Sequence, residues 1–253
     1  MSEFDWSVLG APLIAGLLVT ATHVVLGRRV LERGIIFIDL SIAQVAALGA
    51  VVAGVFGWEG ESVAAHVAAL GAALGAAGLL AWTERWWPQI QEALIGCMYV
   101  VAASVALLVL ANNPHGAEQM QTLLSGQILW VHDEHVGVTA VLYALVLGAW
   151  WGGLRGRASA FYVLFAITVM ASVELVGVFL VFATLILPAL AAHGLSERRG
   201  LPLGYAIGAG AYALGLWLSV QFDLPAGPLI VCALASLALL AAIARRLMPA
   251  NAA

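Results

Sequence analysis

The side chains able to hold or hand on a cation are few in this chain, and several stand in apolar surroundings. Asp39 lies in RGIIFIDLSIAQVAALGA, a few residues inside an apolar run, followed by Ser41 and Gln44. An acidic residue at membrane depth costs about 2.5–3.5 kcal/mol on insertion scales, so it usually faces the bundle interior with a partner or a task. On one reading Asp39, Ser41 and Gln44 line a polar pathway. On the other, Asp39 pairs with Arg33 of the adjoining loop and only fixes the bundle. Glu174, in SVELVGVFLVF, falls where two short apolar runs meet. A polar group at a discontinuous helix is where transporters place substrate contacts; an exposed loop carboxylate is the plainer alternative. His23, near the end of the first apolar run, joins the pathway candidates. His66 opens the third run, and each of the two imidazoles also reads as a hydrogen-bonded packing residue.

A second group lies between Asn112 and Glu134, where His115, Glu118, His132, Asp133 and Glu134 precede His135. His132 and His135 are three apart with carboxylates between them. Imidazole and carboxylate suit zinc and manganese, so His115, His132, Asp133 and His135 are candidates for capturing a cation. A solvated acidic loop is the alternative. The spacing is not HExxH, which excludes the zinc-protease pattern. A third feature is LILPALAAHGLSERRG, where Pro188 nears the end of an apolar run and small residues lead to His193, Gly194 and an arginine-bearing turn. That pattern fits a short helix and sharp turn able to dock a partner, or an ordinary loop with a proline-marked helix end.

The elements that must position these residues are membrane spans. The chain has 253 residues, 63% apolar and 9% charged, against about 25% charged in an ordinary soluble domain. Apolar runs cover 8–26, 35–56, 63–82, 92–111, 135–153, 159–173, 175–192, 203–220 and 228–247. Crossing the hydrocarbon takes about 20 residues, so the expectation is an all-α polytopic bundle forming one domain over 1–253. It has eight or nine membrane segments, with a short or broken pair around Glu174. Every basic residue is an arginine, and the arginines fall only in alternate gaps: Arg28, Arg29 and Arg33; Arg85; Arg155 and Arg157; Arg198 and Arg199; Arg245 and Arg246. By the positive-inside rule the N-terminus is outside, the C-terminus is cytoplasmic, and nine crossings fit best. The first run, with Glu3 and Asp5 ahead of it, reads as a retained span rather than a cleaved signal.

Composition also removes some functions. Without lysine there is no Walker-type P-loop, so any ATP-driven role needs a partner chain. Cys97 and Cys232 sit inside apolar runs and read as packed small hydrophobes. Gly71 and Gly75, Gly204 and Gly208, and Ala64 and Ala68 are spaced for close helix packing. Trp58, Trp82, Trp86, Trp87, Trp130, Trp150 and Trp151 fit interfacial belts.

The stretches LGRRVLERGIIFIDLSIAQVAALG, LLSGQILWV and ELVGVFLVFATLILPALAA resemble the permease subunits of zinc- and manganese-importing ATP-binding-cassette (ABC) transporters. The resemblance runs from about His23 to the C-terminus. It implies a bacterial inner-membrane protein that carries a divalent metal as substrate, holds no permanent cofactor, and does not bind nucleic acid. It implies a separate cytoplasmic ATPase, an extracytoplasmic metal-binding protein, and a second permease copy or paralogue. It also implies a coupling helix at about Pro188 to Gly200, with Pro188, Ala189, Ala192, His193 and Gly194 as contacts. Many members carry a His four residues after the Asp of the second span. Here that position is Ala43, and Gln44 is the nearest polar group. Beside this reading stands a self-sufficient proton-coupled transporter with Asp39 and Glu174 as relay carboxylates. An intramembrane enzyme finds no motif in its support.

Overall fold

The computed structural model describes residues 6–58, 62–110, 128–131 and 133–247. Among these residues there are nine α-helices and no strand. They are α1 (Trp6–Arg33), α2 (Ile38–Val55), α3 (Val63–Trp86), α4 (Gln91–Leu110), α5 (Asp133–Trp151), α6 (Ala158–Val176), α7 (Val178–Ala191), α8 (Glu197–Phe222) and α9 (Ala226–Leu247). Eight of them are long and apolar enough to cross a membrane. The exception is α7, with 14 residues, about 21 Å at 1.5 Å per residue against about 30 Å of hydrocarbon.

Local chemistry sets the helix ends. Ser62 caps α3, its hydroxyl accepting from the Ala65 N–H at 3.2 Å, as a preferred N-cap residue does. Pro88 follows the end of α3 and opens the turn into α4, where its missing N–H costs nothing. The break expected at Glu174 falls instead at Gly177, whose φ of 80° and ψ of 162° only glycine adopts easily. Glu174 therefore sits in the last turn of a full 19-residue helix. Of the two runs expected to be short, only the second is.

The helices form two packed groups. In one, α2 lies against α3 and α4, and α6 closes on α2 and α3; in the other, α1 and α9 flank α7 and α8. α6 touches both groups and α5 as well, and its Phe161, Tyr162, Phe165 and Val169 are fully buried. Gly200, Gly204 and Gly208 of α8 form a stripe against α1. A Cβ at these three positions would strike Arg28, Val24 and Thr20 in turn. The two helices thus mesh at four-residue spacing on both sides, which is close packing of the kind small residues permit in lipid. Gly71 and Gly75, by contrast, face open space.

Large apolar side chains stand outward along α4 and α5, including Val100, Val101, Leu107 and Leu108, and Val138, Val141 and Leu145. Cys97 of α4 and Cys232 of α9 are exposed, not packed inside. Their small size suits either setting, so the run they occupy could not tell which. Trp150 is buried, 6.3 Å centroid to centroid from Phe161, while Trp58, Trp82, Trp86, Trp87, Trp130 and Trp151 stay exposed at span ends.

Candidate functional site

Contacts between distant parts of the chain define the two ends of the bundle. At one end the arginines gather. Arg33 pairs with Glu84 of α3 at 3.3 Å and lays its guanidinium 4.5 Å from the Phe161 ring. Arg28 donates to the Leu195 carbonyl at 3.0 Å, and Arg155 pairs with Glu197 at 2.5 Å. Arg245 donates to the carbonyls of Ala191 and His193, the latter at 3.0 Å. At the other end His66 of α3 faces Glu174 of α6, Nε2 to Oε1 at 3.7 Å. His135, in the first turn of α5, acts electrostatically on the same carboxylate. α7 leads from the histidine end back to the arginine end. The alternation of arginine-bearing gaps along the sequence is therefore a real separation of the two ends.

Buried polar groups lie inside the bundle, Asp39 near the arginine end and His23 and Gln44 deeper along their helices. Asp39, in the first turn of α2, is 1% exposed, and neither of its oxygens makes a hydrogen bond of normal geometry among the described residues. Pairing with Arg33 does not occur, because Arg33 is committed to Glu84 and Phe161. The charged neighbour of Asp39 is Glu92 of α4, whose Oε1 accepts from the Phe37 N–H at 3.3 Å. Two carboxyl groups in a low-dielectric region disfavour being ionised together, a cost relieved by a shared proton or by a cation. Gln44 is buried with its Nε2 unpartnered. Ser41 is occupied structurally, donating to the Ile95 carbonyl at 3.0 Å. Ala43 is buried and offers nothing to a cation.

His23 belongs to the other helix group. Its Nδ1 lies 2.9 Å from the Val19 carbonyl, which can only accept, so Nδ1 carries the proton and Nε2 is a buried, unpartnered lone pair. α1 packs on α7 and α8, whereas Asp39 belongs to the group of α2, α3 and α4. His23 and Asp39 therefore do not form one constellation. A half-open apolar groove of about 470 Å³ runs beside Leu40, between α2, α4, α7 and α9, lined by Tyr99, Phe182 and Val231 among others.

The predicted coupling segment divides by burial. Pro188, Ala189 and Ala192 are buried, so they shape the turn from within and are not available as surface contacts. His193 and Gly194 are exposed, as are Ser196, Arg198 and Arg199. No separate short helix follows Ala191; residues 192–196 form a turn, and α8 begins at Glu197. Beside the turn a shallow cleft of about 680 Å³ is lined by Trp151, Arg155, Ser196, Glu197, Arg198 and Tyr205. Of the four capture candidates, His115 and His132 lie outside the described residues, as does the side chain of Asp133. His135 is exposed in α5. Among the described residues no group of three or more His, Cys, Asp or Glu side chains is close enough to hold a metal ion as it stands. Sequence reading missed Glu84 and Glu92. Both flank the α3–α4 turn, and a carboxylate opposite an arginine-bearing gap was the available signal.

Buried polar groups inside a bundle of helices long and apolar enough to cross a membrane give the architecture of a polytopic membrane protein. The model of the ABC 3 transport family matches residues 6–151 and 154–245, and the chain belongs to that family. It is 28% identical over 163 residues to the chelated iron transport system membrane protein YfeC of Yersinia pestis, covering 56% of this chain and 55% of that protein. The chain thus spans about half the length of this curated relative. The fold resembles that of PsaBC from Streptococcus pneumoniae, solved in complex with Fab, with a TM-score of 0.74 and 21% identity over 94% of this chain and 91% of that one. It also resembles a metal-chelate type ABC transporter in an inward-facing conformation, with a TM-score of 0.68 and 17% identity over 95% and 86% of the two chains.

Proposed function

We propose that this chain is the membrane subunit of an ABC importer for a divalent transition metal, zinc or manganese, as the free ion or in chelated form. The observation that carries the reading is Asp39: a buried carboxyl group whose oxygens make no hydrogen bond of normal geometry among the described residues, in a family of transport permeases. Isolated, such a group costs more than a fold tolerates without a use. The YfeC relative's chelated iron supports a metal or metal complex as cargo.

In this reading the arginine end is cytoplasmic, by the positive-inside rule. The exposed turn at His193 and Gly194 and the cleft beside it receive a separate ATPase. An extracytoplasmic binding protein delivers the cargo at the histidine end, and a second permease copy or paralogue completes the pathway. The bilayer is the inner membrane. Membership of an ABC transport family does not favour the proton-coupled alternative built on Asp39 and Glu174.

The test is reconstitution with the ATPase and binding protein in proteoliposomes, following zinc, manganese and iron uptake. Asp39→Ala is expected to abolish ATP-driven uptake while the complex still assembles. Unchanged uptake in that variant removes the pathway role, and absence of ATP dependence in the unaltered protein removes the importer reading.

A further inference from the structure

His66 and Glu174 come from helices far apart in the sequence, yet their side chains face each other at the histidine end. The imidazole is held from behind. Its Nδ1 lies 2.9 Å from the Ser62 carbonyl. A carbonyl cannot donate, so Nδ1–H donates to it, and the neutral form of the ring offers its Nε2 lone pair forward. The same arrangement, Nδ1–H on a backbone carbonyl with Nε2 presented, orients metal-ligating histidines. Ser62 is itself fixed as the N-cap of α3, so the ring is positioned by the helix start.

The Nε2–Oε1 distance of 3.7 Å exceeds the range of about 2.7–3.2 Å for an N–H···O hydrogen bond. It fits a loose ion pair when the ring is protonated, and with the neutral ring it suits something else. Two atoms that each ligate one tetrahedral ion at about 2.0–2.2 Å stand about 3.4 Å apart. A lone pair facing a carboxylate across that gap is an arrangement a cation completes. The His135 imidazole contributes to the field at Glu174 from a third helix. The two facing side chains are 43% and 45% exposed, which leaves room for an ion to arrive carrying water or ligands of a donor.

We propose that His66 and Glu174 form a two-ligand acceptance site for a divalent transition metal at the outer mouth of the permease, with His135 beside it. Two protein ligands are too few to store an ion, and that is the point: a transfer site must bind strongly enough to receive and weakly enough to release. The inference rests on the metal-import reading for its place in transport, and it names where the cargo first touches this chain.

The full chain in lipid nanodiscs is labelled with diethyl pyrocarbonate, and modification of His66 is followed by peptide mass spectrometry. Zinc chloride or manganese chloride is expected to slow labelling of His66, magnesium chloride to leave it unchanged. His193, exposed at the opposite end, reports that the reagent stays active. Losing an outer-shell partner weakens metal affinity by about 10–100-fold, and Glu174→Gln, which removes a ligand, is expected to raise the half-protecting concentration at least that much. Equal labelling of His66 with and without both transition metals overturns the proposal, and this needs no variant to fold. The two readings fail separately. Protection without ATP-driven uptake of any metal sinks the import reading and keeps the site. Uptake without protection sinks the site alone.

Discussion

The two ends of the bundle solve opposite problems with similar side chains. At the arginine end charge is consumed internally. Arg28 and Arg245 cap backbone carbonyls of the turn after α7, Arg33 is held between Glu84 and Phe161, and Arg155 meets Glu197. Two of these contacts tie α1 and α9 to the turn after α7, and the others join α1 to α3 and the start of α8 to the turn before α6. At the histidine end His66 and Glu174 face each other beyond hydrogen-bonding distance and remain half exposed. One end is closed by contacts among its own groups, while the other leaves a facing pair of side chains open to solvent. The contrast explains why so apolar a chain keeps its polar groups in these two places.

The sharpest way to break the comparison is to part the helices at the tied end. Gly27 of α1 lies so close to α7 that a Cβ would overlap the Leu185 carbonyl and stand 3.4 Å from the Ala189 Cβ. Backbone cannot step aside as a side chain can. Gly27→Val is expected to destabilise the protein by about 3 kcal/mol, the upper range for overpacking, read as a lower thermal midpoint in detergent. Gly75→Val adds the same atoms into open space, and its steric effect is expected to stay within about 0.5 kcal/mol. Equal midpoints for the two variants would mean that α1 and α7 are not locked together.

A smaller effect is expected from Arg245→Ala. It leaves the Ala191 and His193 carbonyls without their donor, a cost of about 1–3 kcal/mol. Because the His193 carbonyl lies in the proposed docking turn and the Ala191 carbonyl at the helix end that leads into it, metal-stimulated ATP hydrolysis by the reconstituted complex is expected to fall more than stability does. An intact stimulation with a lowered midpoint shows the arginine to be a staple and nothing more.

Much of this contrast was legible in the sequence, and the remainder shows where periodicity stops informing. The arginines alternate between gaps because lipid and membrane potential sort them, so the two ends could be told apart before any packing was known. Run length left the count at eight or nine, and the described residues hold eight helices of spanning length and one short one. The position of the break did not follow from run length. Glu174 interrupts the apolar run, but a helix tolerates a carboxylate in its last turn, and the backbone breaks only where Gly177 supplies the required φ. Burial of Pro188, Ala189 and Ala192 was likewise hidden, because small residues suit a docking surface and a tight interior equally well. Cys97 and Cys232 misled for the same reason. The approach of His66 to Glu174 is a tertiary fact between α3 and α6, and no local pattern carries it.

At the histidine end the expectation separates stability from transport. Glu174→Gln removes a half-exposed charge whose pairing contributes at most about 1 kcal/mol, so the thermal midpoint is expected to move little. Uptake is expected to slow, most visibly at low metal concentration, where acceptance limits the rate. A large stability loss with normal uptake turns the pair into a structural tie and erases the difference between the ends.

The smallest effect belongs to Arg155 and Glu197, and it tests whether contact alone makes the arginine end rigid. Their side chains are 49% and 40% exposed, so water screens the pair despite its short distance. Such pairs typically contribute about 0.2–1 kcal/mol, less at high salt. Arg155→Glu is expected to lower the midpoint slightly, and the double exchange with Glu197→Arg to restore it, with the difference fading as salt is raised. Arg245 acts differently, since it satisfies carbonyls that the turn itself cannot. If exchanging Arg155 and Glu197 weakens coupling as much as losing Arg245, the surface charge pattern matters more than the capped turn, and the transmission belongs to the cleft beside Trp151 and Tyr205.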